Sequence, residues 1–404
     1  MTDLANQTRA ATSQEAAVQS TANGPEIAES TMAGAAIGPV GHPAVVVVDE
    51  GMREGLQIED AEITVEAKVR LLNAMGRSGL KRIVAGSFVS PKWTPQMAKI
   101  DELIDSFTPV DGVIYTALAL NAKGVERRAE RIPPLSLDSA LPATLVHLCD
   151  VFVRRNTNRS QAEEIASWPG IIEVAVNAGA TEAQIGVNAA WGSNWIGDIS
   201  HEERMDKLQW QMDLWTEAGV PVTKVFIGDP MGWHIPPQVE EDLADILHRW
   251  PSIRTFHLHL HNTRGMAPIS AYSAIRQLDH RHTLVLDASI GGMGGCPYCG
   301  NGRAAGLFPT EDLIYLLEEM GFDTGVDLAA LIDTVALAEE VVGHRLFGHV
   351  SKAGGRPRGD ELYPMDLPFI ETLDQAQHFR TGPSAYEGAL SPWKEPIKSP
   401  ARPE

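Results

Sequence analysis

Cysteine is scarce in this chain, with three among 404 residues, at positions 149, 296 and 299. So low and odd a count does not build the disulfide framework of a small secreted domain. Positive charge is also short: 33 Lys and Arg stand against 53 Asp and Glu, a formal charge of −20. That argues against a general nucleic-acid binder or a partner for anionic membranes, which need a basic surface. A local basic pocket for a phosphorylated small molecule is not excluded by net charge. No apolar run approaches the roughly 18–20 residues of a membrane span. The strongest, Ala44 to Val48, is too short even for the core of a signal peptide. The N-terminus carries one basic residue, Arg9, beside Asp3, Glu15 and Glu26, unlike an Arg-rich, acid-poor transit peptide. A cytoplasmic protein is expected.

What is present is ordinary globular composition, 44% hydrophobic and 21% charged, in a chain long enough for one large domain or two to three smaller ones. Residues 1–42 are small and polar, broken by Gly24-Pro25 and Gly38-Pro39, and read as a disordered leader. From Ala44 the texture changes. Ala44–Asp49 reads as a strand buried on both faces, and Thr64 caps a helical pattern through Leu71, Leu72 and Met75. Further strand patterns fall near 82–85, 112–118, 143–148, 184–188, 222–227, 254–260 and 283–287, with helices such as 201–218 and 237–249 between them. Residues 150–180 yield no clean helix. Alternation of this kind predicts an α/β fold, a (β/α)8 barrel over 43–344. Extra helices are expected near 310–320 and 326–342, then an extended C-terminal tail over 345–404 whose aromatic residues would pack on the barrel or on a partner subunit. No internal repeat is visible.

Function in such a barrel sits where the strands end. After the first strand comes Gly51-Met52-Arg53-Glu54-Gly55-Leu56-Gln57. Its Arg-Glu pair is either a structural ion pair or a metal-binding carboxylate beside a cation that stabilises an oxyanion. The seventh strand reads His257-Leu258-His259-Leu260-His261-Asn262, and its alternation puts all three histidines on one face. Two neighbours on a face can chelate one divalent ion. His257 lies deepest, so His259 and His261 are the candidates. After the eighth strand, Gly291 to Gly302 forms a glycine-rich loop, suited to a lid over substrate or to a plain turn. Its Cys296-Pro297-Tyr298-Cys299 looks like a redox or zinc motif, but a lone C-x-x-C in a glycine loop suits neither role well. Cys296 is read instead as an active-site residue of the lid.

Four segments resemble 3-hydroxy-3-methylglutaryl-CoA lyase and its relatives, the DRE-TIM metallolyases. They are Arg53–Gln57, Ser87–Met97, His259–Thr263, and Gly292–Tyr298 followed by Thr310–Leu313. The resemblance implies a TIM barrel and a divalent cation, Mg²⁺ or Mn²⁺, held by Glu54, His259, His261 and a loop asparagine, for which Asn301 is available. It implies catalytic roles for Arg53, Gln57 and Cys296, with Arg53 polarising an acyl carbonyl. Asp229 and Asp287 match acidic positions that could orient ligands, or could simply be hydrogen-bonders in the core; Asn188 is a weaker polar candidate. The implied reaction is retro-Claisen cleavage of a branched 3-hydroxyacyl-CoA. A homodimer is the implied assembly.

Departures from the family pattern point to a changed substrate. Glu54 replaces an Asp, and Val84 stands where the family has a catalytic Glu. Asn262 follows His261 in place of Asp. The loop after Cys296 is two residues longer, so that the family's Asn aligns near Gly306. A Claisen-type synthase, a 2-oxo-acid aldolase and a catalytically retired barrel acting as a binding module are the alternatives. Lys92, Arg303 and Lys352 are available for CoA phosphates or are solvated surface residues.

Overall fold

The computed structural model describes residues 33–119, 122–136, 140–299, 304–363 and 365. The first compact unit, Met1–Ala353, contains eight principal strands: β1 (Ala44–Asp49), β2 (Arg82–Ser87), β3 (Ile114–Leu118), β4 (Val146–His147), β5 (Ala183–Asn188), β6 (Val222–Asp229), β7 (Thr255–Leu260) and β8 (Thr283–Ser289). Their ladders are all parallel. The hydrogen-bonded order is β3-β2-β1-β8-β7-β6-β5-β4. The first strand therefore lies beside the last, the neighbour relation of a TIM barrel and not of an open doubly wound sheet. Among the described residues, the joint between β3 and the two-residue β4 is the one without a ladder.

The sequence explains the layers. β1 is a run of β-branched valines that pairs with β8 along its whole length, from Ala44 opposite Thr283 to Asp49 opposite Ala288. Helix α1 (Val65–Arg77) starts at Thr64, whose hydroxyl accepts from Ala67 N at 3.2 Å. It buries Val65, Leu71, Leu72 and Met75, each contributing about 1.5–3 kcal/mol by removal from water. Every principal strand is followed by at least one helix, and α2 (Ile100–Ser106) and α3 (Ala122–Ala129) serve β2 and β3.

Residues 150–180 hold two helices, α4 (Asp150–Thr157) and α5 (Gln161–Asn177). A reciprocal capping box between Ser160 and Glu163 starts α5, which continues through Pro169. That interior proline masks the helix in the sequence. Helices α6 (His201–Glu217), α7 (Pro236–Arg249), α9 (Thr310–Glu319) and α10 (Leu328–Val342) follow the expected spans closely, and α8 (Ala267–Gln277) lies between β7 and β8.

The two ends of the barrel region differ from the expected boundaries. Residues 33–42, assigned to the leader, already touch the barrel: Ala36 bridges Val45, and Ile37 bridges Asp323. Residues 1–32 lie outside the described residues. The chain beyond His344 also stays with the barrel as far as the short α11 (Val350–Ala353). Buried Leu346 packs in the core, Phe347 N donates to Gly291 O at 2.9 Å, and Val350 N donates to Asp312 Oδ1 at 2.7 Å. The second unit is Gly354–Glu404. Its described residues include one 3-10 turn, Gly359–Glu361, and the tail aromatics Phe369, Phe379, Tyr386 and Trp393 lie outside them. No helix of the described residues is long and apolar enough to cross a membrane.

Glu311 in α9 ties the lid to this framework, since its Oε2 accepts from Gly291 N at 2.9 Å. Burial pushes the Glu311 carboxyl up to about 7, from 4.5 for a free side chain. Between those values the folded protein holds a proton that the unfolded chain has released. Stability therefore falls as pH rises across that window and levels off above it. Glu311→Gln keeps an acceptor for Gly291 and cannot ionise. Its Tm is expected to fall less than that of the wild type between about pH 4.5 and 7. Asp49, also raised to about 7 by burial, contributes equally to both proteins. Parallel Tm curves would refute the assignment.

Candidate active site at the barrel mouth

The alternation of β7 sets the site. Phe256, Leu258 and Leu260 belong to the large apolar cluster under the helices, so His257, His259 and His261 face the barrel interior. Where β1 ends, Gly51–Gly55 forms a π-helical turn closed by Gly55 N donating to Glu50 O at 3.1 Å. Asp49 anchors that turn from the opposite face: its two oxygens accept from Gly51 N at 2.7 Å and Thr310 Oγ1 at 2.5 Å. The turn brings Arg53 and Glu54 over the mouth.

Glu54, His259 and His261 then converge. One donor atom from each lies within 4.8 Å of the others. His261 Nε2 is 2.7 Å from Glu54 Oε1, and His259 Nε2 is 3.4 Å from Oε2. Asp287, inward-facing on β8, orients the neighbours: Oδ2 is 2.8 Å from His259 Nδ1, and Oδ1 is 2.9 Å from His257 Nε2. Holding Nδ1 turns the other imidazole nitrogen of His259 toward Glu54.

The electrostatics follow from burial. Desolvation would raise Glu54, but His259 and His261 hold its carboxyl well below the usual range. Desolvation would lower His259, yet Glu54 and Asp287 raise it to about 10. Burial wins at His257, whose pKa is lowered despite Asp287. His259 thus holds a proton between two carboxylates, in a place where a divalent cation could replace it. Both ring nitrogens of His261 are buried and lack a hydrogen bond of acceptable geometry among the described residues. A carboxylate and two imidazoles suit a divalent ion of intermediate hardness, so the residues present fit the implied metal.

The lid lies against this centre. A Cβ on Gly294, where φ is +87°, would stand 2.9 Å from Glu54 O, so only glycine brings the loop backbone this close. Cys296 is buried, and Glu54 adds to the effect of Cys299 and burial in pushing its thiol far up. Cys299 moves the other way, to about 6, chiefly through the hydrogen bond from Cys296. The two thiols lie together in the lid, with Cys299 Sγ donating to Cys296 O at 3.1 Å. Beyond them Asn194 Nδ2 donates to Tyr298 O at 2.6 Å, and the Tyr298 ring lies 5.0 Å from that of Trp195.

The remaining candidates divide. Gln57 is half-buried just after the π-helical turn. Asn301 and Arg303 lie outside the described residues. Asp229 does not reach a candidate imidazole ligand. Its strand parity turns it to the helix side, where Oδ2 accepts from His234 N at 2.6 Å. Its side chain is linked to the site through His234, whose Nε2 donates to His261 O at 3.2 Å, while its backbone O accepts from His261 N at 3.3 Å. Asn262 Oδ1 accepts from Ala267 N at the start of α8. Lys92 lies over the exposed Trp93 ring, and Lys352 pairs with Glu339. Two features were missed in the sequence. Glu50 Oε2 accepts from Arg53 Nε at 2.5 Å. His147, at the end of β4, sits 2.8 Å from Glu164 Oε1 and 3.2 Å from Asn188 Nδ2. The parity of their strand ends was the available signal for both.

A parallel barrel with an Arg-Glu turn after β1 and an inward His-x-His on β7 defines the class of DRE-TIM metallolyase relatives. The particular family follows from comparison with known proteins: the HMGL-like family model matches residues 44–338, and the chain belongs to that family. The chain is similar to the mitochondrial hydroxymethylglutaryl-CoA lyase of Gallus gallus, 31% identical over 77% of this chain and 98% of the relative. It is similar to the (R)-citramalyl-CoA lyase of Chloroflexus aurantiacus, 32% identical over 77% of this chain and 95% of the relative. Among solved structures, an HMG-CoA lyase from Acinetobacter baumannii in complex with coenzyme A and 3-methylmalate gives a TM-score of 0.62 at 29% identity. That match covers 79% of this chain and 97% of the other. The enzyme class is lyase.

Replacing His259 or His261 with Ala is expected to abolish stoichiometric metal in the purified protein, as measured by elemental analysis. Asp287→Asn should weaken metal affinity about 10- to 100-fold through the orientation of His259. Unchanged metal content in both histidine variants would remove the assignment.

Proposed function

We propose that this protein is a divalent-metal-dependent carbon–carbon lyase that cleaves a branched 3-hydroxyacyl-CoA other than 3-hydroxy-3-methylglutaryl-CoA. The convergence of Glu54, His259 and His261 beside Arg53 carries the reading. The relatives support a CoA thioester, because the similar proteins include two CoA-thioester lyases of different substrate and a structure holding coenzyme A with 3-methylmalate. Glu54 and Val84, where the family pattern has Asp and Glu, support a changed acyl group. A homodimer, on the habit of the family, completes the proposal.

In this reading a Mg²⁺ or Mn²⁺ ion held by Glu54, His259 and His261, with Asn301 as a further ligand, would supply Lewis-acid stabilisation at the substrate oxygens. Retro-Claisen cleavage passes the proton of the 3-hydroxyl to solvent, breaks the bond between C2 and C3, turns C3 into the carbonyl carbon of the released fragment and leaves C2 in the enolate of the shorter acyl-CoA. The Arg53 guanidinium, kept charged at any working pH by its carboxylate neighbours, stabilises the enolate oxygen. Gln57, just after the turn, is assigned a polar role beside it on the family resemblance alone. Cys296, buried in the lid, is the residue this reading assigns to protonation of the enolate carbon.

The test is a pooled panel of branched 3-hydroxyacyl-CoA thioesters incubated with Mg²⁺ or Mn²⁺ and read by mass spectrometry, with a chelated control. One thioester should disappear in a metal-dependent way, with the matching shorter acyl-CoA appearing. No consumption of any thioester would overturn the lyase reading in favour of a condensing enzyme, a 2-oxo-acid aldolase or a binding module.

A further inference from the structure

We propose that Glu50 is a positioning residue for Arg53, a carboxylate supplied by β1 at the place where β2 presents only Val84. The kinetic part of this proposal rests on the lyase reading above; its structural part does not. Val45 and Val47 pack toward the helix-side clusters, so Glu50, one residue beyond Asp49, faces the barrel interior. Asp49 lies opposite Ile83 in the parallel ladder. The next residue on each strand is Glu50 and Val84, which therefore stand side by side on the inner face. The Glu50 side chain is only 10% exposed, and its Oε2 lies 2.5 Å from Arg53 Nε.

Glu54 also meets Arg53, at Nη2 and 2.9 Å, but its oxygens face His259 and His261 as well. Glu50 is not among the residues that could share a cation there. It is the carboxylate dedicated to the guanidinium. Two carboxylates on adjacent edges fix the plane of the group, and among the described residues Nη1 is left without a hydrogen-bond partner for a substrate oxygen. A guanidinium fixed in advance needs no reorganisation when charge develops beside it. A merely structural ion pair would affect folding and leave the rate constant alone.

The experiment uses the full chain as wild type, Glu50→Gln, Glu50→Val, and Glu50→Val combined with Val84→Glu. Metal content should be the same in all four. Glu50→Val should lower kcat about 10- to 100-fold with KM nearly unchanged. Glu50→Gln, which keeps an acceptor without the charge, should fall between. The double variant, which returns a carboxylate from the neighbouring strand, should recover most of the loss. In parallel, the ¹⁵N–¹H signal of Arg53 Nε, assigned by its absence in Arg53→Lys, should be protected from solvent exchange in the wild type. It should lose that protection in Glu50→Val and regain it in the double variant. Wild-type kcat in Glu50→Val, or no recovery in the double variant, would overturn the proposal. Should the wild type consume no thioester, the lyase reading fails and the Nε signal decides alone. Protection that depends on Glu50 then upholds the placement, and protection unaffected by Glu50→Val overturns it.

Discussion

The ladder between β1 and β8 is the constraint on which the mouth of this barrel depends. Its six paired positions, Ala44 with Thr283 through Asp49 with Ala288, fix the height at which the chain leaves β1. β8 is held in turn by β7. Glu54, Asp287 and His259 therefore come from three successive strands locked to one another by backbone hydrogen bonds, and no side-chain flexibility is needed to bring them together. A shift of one residue in that register would turn inward-facing groups toward the helices. Asp49 reinforces the register by tying the π-helical turn to Thr310, the first residue of α9.

The mouth gathers buried carboxylates around buried cations. Glu50, Glu54 and Asp287 surround Arg53 and the histidines. Losing one member would leave a buried charge uncompensated, which costs more than the pair contributes. In the proposed arrangement the negative charge absent from β2 at Val84 is supplied from β1 by Glu50. Substitution at a family position is thus better judged by the charge of the whole ring than one residue at a time.

Much of the fold was legible because period-two and period-3.6 patterns are local. The eight strands, the Thr64 cap and the inward histidine triplet needed no knowledge of neighbours. What failed to show was set by pairing. Glu50 meets Arg53 only because a π-helical turn folds the chain back, and His147 at the end of β4 meets Glu164 of α5. Asp229 was placed with Asp287 since both end strands, yet their parity differs and only Asp287 faces the imidazoles. Helix α5 was obscured by Pro169. Leu346 stands beside Phe347 in a short stretch without periodicity, and its burial follows from tertiary packing.

The chain past His344 has a consequence for how the barrel can be excised as a working unit. A Cβ on Gly291 would stand 2.5 Å from Leu346 Cδ1, and Phe347 N bonds Gly291 O. The root of the lid is therefore walled on one side by residues that lie beyond the last long helix. A fragment cut at that helix would retain all eight strands and every candidate ligand described at the mouth, but would lose the backstop of its own lid. The natural point of division lies after Ala353.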